Sequence, residues 1–341
     1  MKSLSLIVLG LAAAAAFAQT PAPTQTTKKY TQPKTAWGDP DLQGVFSTDE
    51  YIGVPFERPA KFGTRKYLNE QELAERAKDV DDLASVHDTG VRPDKGFWKN
   101  QHGVDAAAVP PQWLEYAPRA SRQTSLVVDP PDGHVPALTA AAEERRAQQK
   151  NYFNMRPASW LDLTMYDRCI TRGVAGSIFP VIYGNGTQIV QEPGFVAIRN
   201  EMIHETRIIP LDGRPHAPAT QRMNMGDSRG HWEGNTLVVE TTNYIGGHNS
   251  ISVNGTGGIP YSDDLVTVER FTRADAKHVN YEMRISDPPT YTKPWTVAFE
   301  LTQEPGYEIF EYACHEGNYG MRNRLSAARA EEKEEAAAKA K

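Results

Sequence analysis

Between residues 187 and 314 polar and apolar side chains alternate with a period of two. Val279, Tyr281, Met283 and Ile285 oppose His278, Asn280, Glu282 and Arg284. Trp295, Val297, Phe299 and Leu301 oppose Thr296, Ala298, Glu300 and Thr302. That period marks a strand with one buried face. Candidate strands cover 187–191, 195–200, 202–209, 228–233, 236–243, 265–273, 278–286, 295–302 and 308–314. Many links are short, such as Pro193-Gly194, Gly234-Asn235 and Glu304-Pro305-Gly306, and short links join antiparallel neighbours. The pattern predicts a mainly β protein, an antiparallel meander closed into a β-barrel or a strongly curved sheet over 177–316.

Upstream, 37–176 shows little periodicity and reads as a loop-rich N-terminal wrap with short helices. Asn69 and Glu72 stand at capping-box spacing before a helix over 69–78. Leu126-Val127-Val128 is a short strand stopped by Asp129-Pro130-Pro131-Asp132-Gly133. Thr139 caps a polar helix reaching about residue 150. Trp98, His102, Trp113 and Tyr116 lie in a long loop as aromatic anchors. The segment 317–341 ends as a charged, alanine-rich helix or tail with a solvated face.

Three predicted strands break the alternation. In 202–209 one face carries Met202, His204, Thr206 and Ile208, the other Ile203, Glu205, Arg207 and Ile209. Glu240 shares a face with Val238 and Thr242. Arg270 sits with Val266 and Val268, while Glu269 sits with Leu265 and Phe271. Whichever face is inside, each strand buries a polar group, and buried charges need partners. His204, Arg207, Glu240, Glu269 and Arg270 can supply them mutually, either as a structural network or as the floor of a site. As a site, His204 is the acid/base, Glu240 orients it or acts itself, and Arg207 or Arg270 holds an oxygen. Tyr312, His315 and Glu316 close the rim. In that reading His204, Arg207 and Glu240 converge inside one barrel.

Other features narrow the compartment. Met1-Lys2, an apolar run over 4–17 and Ala16-Phe17-Ala18 form a cleavable signal peptide, 1–18. The run is too short to span a membrane, and no later one approaches a span. A Thr-, Pro- and Gln-rich leader over 19–36 follows. The chain is read as periplasmic or secreted. There Cys169 and Cys314, the only cysteines, are expected to form a disulfide, closing a long loop and contributing up to ~5 kcal/mol. The rival role is a catalytic or metal thiol.

The 341 residues include 26 glycines and 24 prolines, which favours turns around a modest core. A net charge of -6 gives no sign of nucleic-acid binding. Gly226-Asp-Ser228-Arg-Gly230 fits G-x-S-x-G, but a hairpin rather than a helix follows, so Ser228 reads as a strand-entry residue. No H-E-x-x-H or C-x-x-C occurs. No metal ligands are assigned, and neither the cofactor nor the oligomeric state is legible.

IIPLDGRPH (208–216), MGDSRGHWEGNTLVVETTN (225–243), VERFTR (268–273), YTKPW (291–295) and YACHEGNYGM (312–321) resemble motifs of a large family of exported bacterial proteins frequent in soil bacteria. RQTSLVVDPPDG (122–133) and PFERPAKF (55–62) resemble its N-terminal part. The resemblance implies an exported location and a shared architecture, and carries no catalytic residues across. The leading expectation is a polar small-molecule site in the barrel, with acid/base chemistry of lyase, isomerase or hydrolase type on an oxygen-rich organic molecule. The alternative is a non-catalytic ligand-binding or envelope-associated protein whose polar cluster is structural.

Overall fold

In the computed structural model the described residues are 30–89, 115, 117–148, 156–247, 250–251 and 260–340. The signal peptide, most of the leader, and Trp98, His102, Trp113 and Tyr116 lie outside them. Gln32–Lys341 is one compact unit. Gln32 is buried and Lys34 bridges Pro40, so the end of the expected leader belongs to the folded part.

The chain is mainly β, with ten antiparallel strands in one sheet nearly closed into a barrel. They are β1 (Gly44–Ser47), β2 (Val127–Asp129), β3 (Thr187–Glu192), β4 (Phe195–Asn200), β5 (Thr206–Pro210), β6 (Asp227–Glu233), β7 (Thr236–Thr242), β8 (Val266–Arg273), β9 (His278–Ser286) and β10 (Trp295–Gln303). The order is β5-β4-β3-β1-β10-β9-β8-β7-β6, with β2 also paired to β10. The late strands form the expected meander. β1 is a correction to the reading of 37–176 as wrap alone: it stands inside the sheet, pairing Phe46 with Thr187 on one side and Gln303 on the other. Four residues are too few to display a period, which is why the strand is invisible in the sequence.

Inward positions carry the core: Phe46, Ile189, Ile198, Leu237, Val239, Phe271, Tyr281, Met283, Trp295, Val297 and Leu301 are fully or almost fully buried. Among the described residues four α-helices accompany the sheet: α1 (Glu70–Thr89), α2 (Ala140–Gln148), α3 (Gly173–Ile178) and α4 (Gly320–Lys339). Short and wholly buried, α3 is followed by Phe179, whose ring meets the inward Phe299 edge-on at 5.9 Å. It fills space in the same core as the strands. The Asn69–Glu72 capping box closes with two 2.9 Å bonds, and α1 continues past the expected residue 78. Helix α4 is fastened by ion pairs of Arg156 with Glu331 and Glu335.

Two expected strands differ. Residues 202–204 form a 3-10 turn, and β5 begins only at Thr206. Ile203 and His204 are left-handed, with φ of 59° and 45°, and this interrupts the strand before its side chains can alternate. Residues 308–314 form no strand. Both edges of β10 are already taken, one by β9 and the other by β1 and β2. The segment instead runs to a Cys169–Cys314 disulfide joining residues 145 apart. No helix among the described residues is long and apolar enough to cross a membrane.

Candidate functional site at one end of the barrel

Strand register sets out which residues meet. Ser47 pairs with Thr302, Phe46 with Thr187, Thr187 with Asn200, and Arg199 with Thr206. The ends of β1, β4 and β10 and the starts of β3 and β5 therefore lie at one end of the barrel. The turn 201–205 and the segments 166–173, 181–186 and 307–318 gather there.

The residues singled out for the interior do not converge. Arg207 is inward and makes a bidentate pair with Glu269, at 2.6 and 2.9 Å, with side-chain exposures of 4% and 0%. The Tyr281 hydroxyl donates to the same carboxylate at 3.0 Å. Burial lowers the Arg207 pKa, but the charge and hydrogen bonds of Glu269 more than offset this and leave it raised. Glu240 faces outward and is exposed. It does touch a histidine, but that residue is His216, whose Nε2 lies 3.2 Å away and whose Nδ1 lies 3.0 Å from Asp227. Arg270 also faces outward, bonded to Glu233 at 2.7 Å. His204 is exposed on the left-handed turn, its Nδ1 donating to the Tyr312 carbonyl at 3.2 Å. His315 and Glu316 are exposed on the segment beyond the disulfide. Ser228 is buried, with its hydroxyl 2.9 Å from that of Thr241. Arg207 and Glu269 thus answer each other, with the buried Arg207 Nε left without a hydrogen-bond partner among the described residues, and of the candidates only His204 and Tyr312 meet at the barrel end.

Backbone strain concentrates at this end. A left-handed conformation costs ~1–3 kcal/mol at a non-glycine residue, and Cys169, Ile203 and His204 all adopt it. Buried Met202 and Ile203 anchor the turn, and Glu201 N–H donates to the Gly186 carbonyl at 2.8 Å. A Cβ on Gly186 would stand 2.6 Å from a Glu201 carboxylate oxygen, so a larger residue there would push that carboxylate from its place beside Tyr307.

Around the turn lies an acidic half. Asn185 donates to Asp49 at 2.8 Å and to Glu115 at 3.0 Å. Gly184 N–H donates to Glu115 at 2.9 Å. Burial and then the charge of Asp49 push the Glu115 carboxyl up to about 8, against the Gly184 hydrogen bond. Burial also raises Asp49, while hydrogen bonds from Asn185, Glu115 and Ser47 oppose it. The two carboxyls behave as one proton-sharing pair. Glu201 is raised by burial, with Tyr307 hydrogen-bonded to it at 2.5 Å.

The other half is phenolic. The Tyr166 and Tyr183 hydroxyls are 2.9 Å apart, and the Tyr312 phenol, raised by burial, is close enough to both to feel them. The buried Arg172 guanidinium stands 5.1 Å from the Tyr166 ring centroid, its pKa lowered by burial and supported by the three phenols. Glu205 accepts from Thr171 at 2.5 Å and is raised by burial, with Arg207 and His204 opposing. Met202 lies between the halves, with its sulfur 3.8 Å from the Tyr166 hydroxyl.

Family models, curated proteins and solved structures give no match to this chain. The barrel end can hold a proton near neutral pH on one side and present hydroxyls and a guanidinium on the other. Among the described residues no group of three or more His, Cys, Asp or Glu is arranged to hold a metal ion. Sequence reasoning missed Asp49, Glu115, Tyr166, Arg172, Asn185 and Tyr307. Each comes from an aperiodic segment, and only the proximity of Tyr166 and Arg172 to Cys169 was a signal.

Proposed function

We propose that this is an exported barrel protein with a polar small-molecule site at the barrel end. Its chemistry is acid/base action on an oxygen-rich organic molecule. The observation that carries the reading is the Asp49–Glu115 pair bridged by Asn185 beside a strained turn, where burial and the charge of Asp49 push the Glu115 carboxyl up to about 8. A general acid works best with a pKa near the working pH, and such perturbed groups concentrate at functional sites. Glu115 is the proton donor, Asp49 the carboxyl that shares its proton, Glu201 a further carboxyl held by Tyr307, and the phenols with Arg172 steady the developing oxygen charge. His204, with no partner for Nε2 among the described residues, is a second proton-transfer group. The disulfide supports an oxidising compartment, and the motif resemblance adds the exported location.

A thermal-shift screen with plant-derived hydroxyaromatics, sugars and small keto acids tests this. At least one compound is expected to raise the melting temperature of the wild type, and Glu115→Gln and Tyr307→Phe should both abolish that rise. A blank screen, or a rise unchanged in both variants, sinks the reading. The Arg207–Glu269–Tyr281 network buried in the interior favours a second reading, a non-catalytic ligand-binding or envelope-associated protein. In that case compounds bind but none is turned over.

A further inference from the structure

The outward faces of β9 and β10 contribute to a groove of about 520 Å³, within the ~300–1,000 Å³ typical of small-molecule sites. Asn280 and Glu300 are direct cross-strand partners there, and Glu282 lies two residues further along β9 on the same face. Among the described residues none of these three side chains makes a hydrogen bond or a close ion pair, although the Glu300 charge acts on Arg119 across the groove. The opposite lining comes from the N-terminal wrap: Tyr67, Arg119 and Arg122. Tyr67 is 63% exposed, a large ring left in water beside free polar groups. Arg119 is held in place by Glu50 at 2.8 Å, and Arg122 by Glu70 at 2.8 Å.

We infer that this groove is a carbohydrate site for a short neutral or amino-substituted oligosaccharide. Free carboxylates and an amide accept from and donate to ring hydroxyls. An exposed tyrosine ring offers an apolar face for the C–H side of a sugar and a hydroxyl at its edge. Charge narrows the class. The lining holds three carboxylates, Glu50, Glu282 and Glu300, against two guanidiniums, and both guanidiniums are already paired. An acidic sugar therefore meets unpaired carboxylates on the floor, whereas neutral and amino sugars do not suffer this repulsion. The inference is independent of the barrel-end site.

Saturation-transfer NMR on the full mature chain, with cellotetraose, a chitosan tetramer and tetragalacturonate as probes, tests it. Transfer to the neutral or the amino tetramer is expected, with none to tetragalacturonate. Tyr67→Ala and Asn280→Ala, both at exposed positions, should each weaken binding about tenfold, while Glu115→Gln leaves it unchanged. The inference is overturned by no transfer to either favoured probe, by equal transfer to tetragalacturonate, or by affinity that survives both groove substitutions. Loss in Glu115→Gln alone overturns it as well, because the sugar would then sit at the barrel end.

Discussion

At the scale of single residues, the Arg207–Glu269 pair shows what broken alternation means. Strand parity in the sequence exposes a charged residue on an otherwise apolar face, and the fold pairs two such residues inside the barrel with Tyr281 as third partner. Parity could not say which of the five candidates would meet, since that depends on which strands face each other across the barrel. Glu240 and Arg270 point outward, so their charges are solvated. Removing one partner of a buried pair leaves an uncompensated charge, at a cost of ~3–5 kcal/mol. Glu269→Gln is expected to lose that much in urea melts, and Arg207→Met with Glu269→Leu together to lose much less. A loss below ~1 kcal/mol for the single change would show that the pair is not sealed from water.

Among elements, the meander was legible because strands of six to nine residues repeat their period long enough to be seen. β1 and the buried helix α3 were not legible. The first is four residues long, and the second is the run Gly-Val-Ala-Gly-Ser-Ile, whose small apolar residues fit either a strand or a helix. The turn 202–204 is not legible either, because nothing in Met-Ile-His announces two left-handed residues. The seam between the sheet's edge strands depends on one glycine. A Cβ on Gly230 of β6 would fall 2.9 Å from Ile209 of β5 and 2.7 Å from Leu211. Gly230→Val should therefore destabilise the protein by ~1–3 kcal/mol through overpacking, read as a lower urea midpoint at unchanged m-value. An unchanged midpoint would mean that the barrel is open along β5 and β6.

For the whole molecule, the N-terminal segment is part of the barrel rather than a cover laid over it. By inserting β1 between β3 and β10 the chain carries Asp49 to the barrel end, where Asn185 joins it to Glu115. Three aperiodic segments thus build the site, and no local pattern in any of them could have revealed it. The linkage has a definite sign. The unfolded carboxyl of Glu115 ionises near 4.5, whereas in the fold it stays protonated to about 8. Folding therefore takes up a proton in that window, and the stability contributed by this group declines as pH rises through it. The most direct measurement is a carboxyl-detected NMR titration of Glu115 in the intact protein, assigned by its loss in Glu115→Gln. A midpoint near pH 8 is the predicted result, and a midpoint in the ordinary carboxylate range near 4.5 would contradict the proton-holding site.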